Sequence, residues 1–318
     1  MRIVLPDGAA CLQDPNDLLP LKKLGVVEFH ETPPQHKAEL IQRLRDAEAV
    51  ILDYSVMDAE VLAQCPSLKF VCFLGIGYAK YIDVGAAAKK GVTVAYTPGY
   101  GSVGVAEYTL GLILSLTRHI AFAHGSMKQG MWEPGRFQGI ELQGKTLGIV
   151  GLGPIGSEMS RLAAGIGMHA LGWTRNATPE RARHGLTLVS LDELFAASDV
   201  VTIHLSHTAQ TERLISRALL EKMKPGAFFV NTSRARIVDN EALAGLLQQG
   251  RIAGAALDVH DEEPVPAHYQ FATLPNVLIT PHIGFNSKDA ARNMLRIAIA
   301  TLDAFSRGEK LYVVAPAE

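Results

Sequence analysis

Short apolar runs recur through the first third of the chain, separated by stretches of helical length: RIVL at 2–5, AVILD at 49–53, KFVCFL at 69–74 and VTVAY at 92–96. Such alternation predicts a parallel α/β sheet, because parallel strands need a crossover connection and the crossover is usually a helix. Pro98-Gly99-Tyr100-Gly101 interrupts the pattern, and a long apolar helix is predicted from Val103 to His124. A clearer series follows: TLGIV at 146–150, HALGW at 169–173, VVTIHL at 200–205, AFFVN at 227–231, AGAAL at 253–257 and NVLIT at 276–280. Near-continuous apolar strands of this kind are buried on both faces, which predicts a second, doubly wound sheet. A final helix is expected from Ser287 to Gly308, followed by a short apolar tail placed to return to the first domain. The expected division is therefore 1–99 with 287–318 as one domain and 100–286 as a second, inserted domain. A length of 318 residues agrees, since single cores seldom grow past about 250–300 residues.

Composition narrows the function classes. With 48% hydrophobic, 19% charged and 7% aromatic residues the chain has a globular composition, and a net charge of −2 without basic runs gives no footprint for nucleic acid or an anionic membrane. No apolar stretch reaches the roughly 18 residues of a membrane span, and the opening MRIVLPDG lacks the pattern of a signal peptide, so a cytoplasmic location is expected. Cys11, Cys65 and Cys72 form no CxxC pair and are expected to be reduced structural thiols. No HExxH or GxSxG motif occurs, so neither metal nor serine chemistry is expected.

The chemistry starts at Gly151-Leu-Gly153-Pro154-Ile155-Gly156, which joins the strand TLGIV directly to the helical pattern SEMSRLAAGI. In that context the first glycine permits a tight turn, the second lets the backbone approach a pyrophosphate, and the third lets helix pack on strand. The fold class is thus α/β with two Rossmann-like doubly wound domains. The second domain is expected to bind a dinucleotide and the first a substrate, with the active site in the cleft between them. An acid about 20 positions on would accept hydrogen bonds from a ribose 2′-hydroxyl. The chain instead has Thr174, Arg175 and Asn176, suited to a 2′-phosphate, so NADP(H) is favoured with NAD(H) as the alternative.

Three strand ends then deliver one residue each: Arg234 after AFFVN, Glu263 in LDVHDEEP, and His282 in TPHIG. Reducing a keto acid needs a cation for the carboxylate and carbonyl oxygen, a proton donor near neutrality, and a group that keeps the donor protonated. A carboxylate beside an imidazole favours the imidazolium, so the three residue types answer the three needs.

With these motifs in order, the sequence resembles the D-isomer-specific 2-hydroxyacid dehydrogenases over nearly its whole length. Gly75-Ile76-Gly77 through Asp83 resembles the family's substrate loop, Thr97-Pro98-Gly99 and Val105-Ala106-Glu107 the entry to the cofactor domain, and the Arg, Glu and His segments the catalytic motifs. The resemblance implies that Arg234 anchors the substrate carboxylate and polarises its carbonyl, His282 is the acid/base, and Glu263 tunes it. It also implies substrate contacts from Gly75, Ile76 and Gly77, cofactor contacts from Ser206, Thr211, Ser233, Asp258 and Gly284, and a homodimer built through the helix after Val103 and the segment to about Gln143. The Thr174-Arg175 pair is similar to that of the NADPH-preferring glyoxylate and hydroxypyruvate reductases, which makes those keto acids the favoured substrates. Departures are Lys80 in place of an aspartate, Ala235 and Arg236 in place of two glycines, and Ser206 in place of a proline. The alternatives are a same-family dehydrogenase for another 2-hydroxy acid and a cofactor-sensing protein of corepressor type.

Overall fold

The computed structural model describes residues 1–8, 12 and 14–314, so the expectation for Cys11 lies outside the described residues. The chain divides into two compact units, Met1–Gly101 with Asn286–Glu318, and Ser102–Phe285. The first contains β1 (Arg2–Leu5), α1 (Leu19–Lys22), β2 (Val26–Phe29), α2 (Lys37–Leu44), β3 (Ala49–Leu52), α3 (Ala59–Ala63), β4 (Phe70–Phe73), α4 (Val84–Lys89) and β5 (Thr93–Tyr96). Its strands are parallel in the order β2-β1-β3-β4-β5. Alternate side chains feed two cores: Val4, Val50, Leu52, Val71 and Phe73 pack with Leu40, Leu44, Val61 and Leu62, while Ile3, Leu5, Ile51, Phe70 and Cys72 face the other way. This two-sided burial is why the strands read as unbroken apolar runs. The pattern gave no sign of β2, an edge strand whose Val26 is 74% exposed.

The second unit begins with α5 (Ser102–Thr117) and α6 (Ile120–Lys128), then β6 (Thr146–Val150), α7 (Pro154–Gly165), β7 (His169–Trp173), β8 (Thr187–Leu188), α8 (Leu191–Ala197), β9 (Val200–Ile203), α9 (Arg217–Leu220), β10 (Phe228–Asn231), α10 (Asn240–Gln248), β11 (Gly254–Leu257) and β12 (Val277–Ile279). The single helix predicted from Val103 to His124 is two, because His119 takes a left-handed φ of 55° and breaks the ladder between them. The seven parallel strands run β12-β11-β10-β9-β6-β7-β8. Strand order therefore reverses between β6 and β9, the place where α/β sheets open a crevice at their carboxyl ends. The two-residue edge strand β8 was also too short to register in the pattern.

The chain closes with α11 (Lys288–Ser306). Ser287 caps it by accepting a hydrogen bond from the Ala290 N–H at 3.1 Å, and Leu295, Ala298 and Leu302 complete the second core of the first unit. The tail then pairs antiparallel with the edge of β5, Val313 against Ala95. Among the described residues no helix is long and apolar enough to cross a membrane.

Candidate active site

Arg234, Glu263 and His282 leave the carboxyl ends of β10, β11 and β12, three neighbouring strands of the second unit. At the first of these ends Asn231, 1% exposed, folds the chain back on itself: its Oδ1 accepts from the Ser233 N–H and its Nδ2 donates to the Arg234 carbonyl, both at 3.0 Å. An asparagine that mimics a backbone turn in this way fixes the direction in which the next side chain leaves. Thr232 anchors the turn from below, its hydroxyl donating at 2.8 Å to Thr109, which donates in turn to the Val105 carbonyl at 2.7 Å. Arg234 itself is half-buried, with Nη1 donating to the Ser233 carbonyl at 2.7 Å. No carboxylate among the described residues pairs with it, which leaves its guanidinium for an anion from outside.

Glu263 and His282 are brought into direct contact, His282 Nδ1 to Glu263 Oε2 at 2.8 Å. The other oxygen, Oε1, accepts from the His260 N–H at 3.1 Å. Burial pushes the Glu263 carboxyl up, but the hydrogen bonds from His282 and His260 outweigh it and the group ends below the usual carboxylate range. It is ionised at neutral pH and acts as an acceptor. His282 thereby presents Nε2, the nitrogen that no described residue occupies, and its side chain is 35% exposed.

His282 also has a left-handed φ of 54°, which a non-glycine residue keeps only when its surroundings hold it. Asp258, 1% exposed, is the holder. Its carboxylate accepts from Ile283 N–H at 3.0 Å, Gly284 N–H at 2.8 Å and the Thr280 hydroxyl at 2.6 Å. A Cβ on Gly284 would lie 3.0 Å from Asp258 Oδ2 and 3.2 Å from the Tyr108 ring. Asp258 and Gly284, expected as cofactor contacts, thus have a structural occupation in shaping the histidine turn.

The glycine loop follows β6, across β9 from the loops that carry Arg234, Glu263 and His282. Gly151 has a φ of 101°, and a Cβ there would meet the His204 carbonyl at 2.5 Å; one on Gly156 would meet the Gly151 carbonyl at 1.9 Å. At Gly153 a Cβ would meet nothing within 4 Å. That residue caps α7 without any side-chain hydrogen bond, and Pro154 opens the helix. The first-turn N–H groups, Ile155 among them, are left facing the open side, a ready anion site. These residues fit a dinucleotide pyrophosphate.

At the end of β7, Thr174 is half-buried while Arg175 and Asn176 are exposed. The Arg175 guanidinium donates to Gln210 Oε1 in the loop after β9. Within that loop the buried Thr211 hydroxyl donates to the Ser206 carbonyl and accepts from the Thr208 N–H, each at 2.8 Å. Ser206 is exposed, and the Ser233 hydroxyl donates to the Leu205 carbonyl. The hydroxyls of Thr211 and Ser233 therefore shape the loop.

In the first unit, Gly75 donates its N–H to Thr97 Oγ1 at 2.7 Å. Of the three amides expected in the substrate loop, those of Ile76 and Gly77 remain, on exposed residues. Lys80 is exposed with its ammonium 5.8 Å from the Tyr81 ring centre. Sequence reasoning missed the tasks of Asn231, Thr109, Thr280 and His260. An Asx-turn signal, Asn followed two residues later by Ser, marks the first; the others act across the fold and leave no local trace.

Residues 110–284 match the family description "D-isomer specific 2-hydroxyacid dehydrogenase, NAD binding domain". The chain is 37% identical to a glyoxylate reductase of Thermofilum pendens over 298 residues, covering 91% of this chain and 88% of that protein. It is 32% identical to a hydroxypyruvate reductase of Blautia hydrogenotrophica over 99% of both. It spans about half the length of the D-3-phosphoglycerate dehydrogenases it matches, 47% to 55%. Among solved structures, a glyoxylate reductase from Paecilomyes thermophila superimposes with a TM-score of 0.82 at 28% identity, covering 98% of this chain and 97% of that one.

Proposed function

The chain belongs to the D-isomer specific 2-hydroxyacid dehydrogenase family, and on that premise we propose that it reduces a small 2-keto acid, glyoxylate or hydroxypyruvate, to the D-2-hydroxy acid with NADP(H) preferred over NAD(H). The observation that carries the reading is the 2.8 Å contact of His282 Nδ1 with an ionised Glu263, which leaves Nε2 as the proton donor. Arg234, which no described carboxylate pairs with, binds the substrate carboxylate and polarises its carbonyl. Residues 151–156 hold the pyrophosphate and Arg175 the 2′-phosphate, with Thr174 and Asn176 beside it. A nicotinamide bound there would supply the hydride chemistry; His282 protonates the substrate oxygen and Glu263 steadies the imidazolium. Relatives that match nine tenths or more of the chain bear the names of keto-acid reductases, and the corepressor alternative finds no support among them.

The same reading makes the protein a cytosolic homodimer. Cys65 and Cys72 are buried free thiols suited to a reducing compartment. Ile120, Met127 and Trp132, exposed by 57%, 51% and 79%, put apolar surface on α6 and the segment after it.

The test follows 340 nm absorbance with NADPH and NADH against glyoxylate, hydroxypyruvate, pyruvate and a bulkier 2-keto acid, in wild type, His282→Ala and Arg175→Ala. The expected result is fast NADPH oxidation with the two small keto acids, a loss of about 10²–10⁴ in kcat for His282→Ala, and a weakened NADPH preference for Arg175→Ala. Undiminished turnover by His282→Ala would reject the acid/base assignment, and a preference for NADH would reject the phosphate assignment alone.

A further inference from the structure

His260 stands between the two catalytic loops and bonds to both. Its main-chain N–H donates to Glu263 Oε1 at 3.1 Å, the oxygen His282 leaves unused. Its ring Nε2 lies 2.9 Å from the Thr280 carbonyl, and that same carbonyl accepts the His282 N–H at 3.0 Å. Its Nδ1 lies 2.8 Å from the Tyr269 hydroxyl, with the two rings edge-on at 5.1 Å. A carbonyl only accepts, so Nε2 carries a proton, and in the neutral ring Nδ1 accepts from the phenol. Tyr269 suits the donor role: burial first, then the charges of Asp261 and Glu263, push its ionisation well above the ordinary tyrosine value, so the O–H persists.

We propose that His260 is a positioning residue of the reaction, a clamp that fixes the His282 turn to the Glu263 loop. The proposal rests on the reading of Glu263 and His282 as the acid/base pair. Both of its ring nitrogens are occupied, so it is not placed to touch substrate. Asp258 fixes the amides after His282, and His260 fixes the carbonyl two residues before it; together they hold the left-handed backbone that aims the imidazole. Tyr269, 8% exposed and packed edge-on against Phe271, ties the clamp to the core below β11.

Two variants test this. His260→Phe keeps an aromatic ring and the main-chain N–H but removes both ring bonds, whereas His260→Gln keeps an amide N–H near the position of Nε2. Since small misplacements of a catalytic group cost up to about 10²-fold, His260→Phe is expected to lose about 10- to 100-fold in kcat. Its NADPH affinity, measured by fluorescence titration, should be unchanged, and His260→Gln should recover most of the rate. Wild-type kcat in His260→Phe, a loss in His260→Gln equal to that in Phe, or a parallel loss of NADPH binding that marks a general folding role would each overturn the clamp. His282→Ala in the same assay separates the two claims. If it collapses while His260→Phe is unaffected, only the clamp falls; if it keeps its rate, the acid/base reading falls and takes the clamp with it.

Discussion

At the scale of the residue, the proposed site turns on a guanidinium that no described carboxylate pairs with. Arg234 is directed by an Asx turn and a bond to the Ser233 carbonyl, and the proposed function gives its guanidinium to substrate binding, not to folding. Arg234→Gln is expected to lower kcat/KM for the keto acid by about 10- to 150-fold, the value of a hydrogen bond to a charged group, with the KM for NADPH and the melting temperature near wild type. Steady-state kinetics with each substrate varied in turn check it; a loss shared equally by the cofactor KM would show that the residue acts on the whole site.

At the scale of the element, the turn from β6 into α7 separates glycines that the fold needs from the one the ligand needs. A methyl group on Gly156 would meet a main-chain oxygen, which cannot move aside as a side chain can. Gly156→Ala is therefore expected to destabilise by about 1–3 kcal/mol or more, as overpacking does. Gly153→Ala places its methyl in open space and should leave stability unchanged while weakening NADPH binding. Urea unfolding and cofactor titration of the two variants distinguish these outcomes. A second junction, where β9 begins beside β6, is held by Asp199: its carboxylate accepts from the Thr146 N–H at 2.8 Å and from Lys224 Nζ at 3.0 Å. Burial pushes this carboxyl up, but these bonds outweigh it and bring it below its ordinary 3.8. A depressed carboxylate stabilises the fold above the ordinary value and loses that effect as pH falls through the depressed one. Asp199→Asn should thus melt lower than wild type at pH 7, with a gap that shrinks only in acid below about pH 4; a gap independent of pH would mean the ion pair is inert.

At the scale of the whole molecule, α6 and the segment after it carry four exposed large apolar residues close together in the chain, Ile120, Met127, Met131 and Trp132. Sedimentation is expected to give a dimer, and Met127→Glu with Trp132→Glu to give a monomer of unchanged secondary structure, because an unpaired charge at the core of an interface is costly. A wild-type monomer at micromolar concentration would remove the dimer from the proposal.

Much of this was legible in the amino-acid sequence, for a physical reason in each case. Strands with buried faces must be apolar, so ten of the twelve could be seen; β2, which has no fully buried residue, and β8, only two residues long, went unseen. The glycine loop was visible because its steric demands are local: Gly156 must clear Gly151 within one turn. Arg234, Glu263 and His282 could be found because each follows a strand end. What only the tertiary structure decided was which polar groups meet. Thr232 finds Thr109 across 123 positions, Asp258 closes the turn 25 residues on, His119 splits a helix whose composition reads as continuous, and His260 bridges two loops through a carbonyl. Hydrogen bonds between distant segments depend on where the packed sheet brings strand ends together, and no local pattern of hydrophobic and polar positions encodes that.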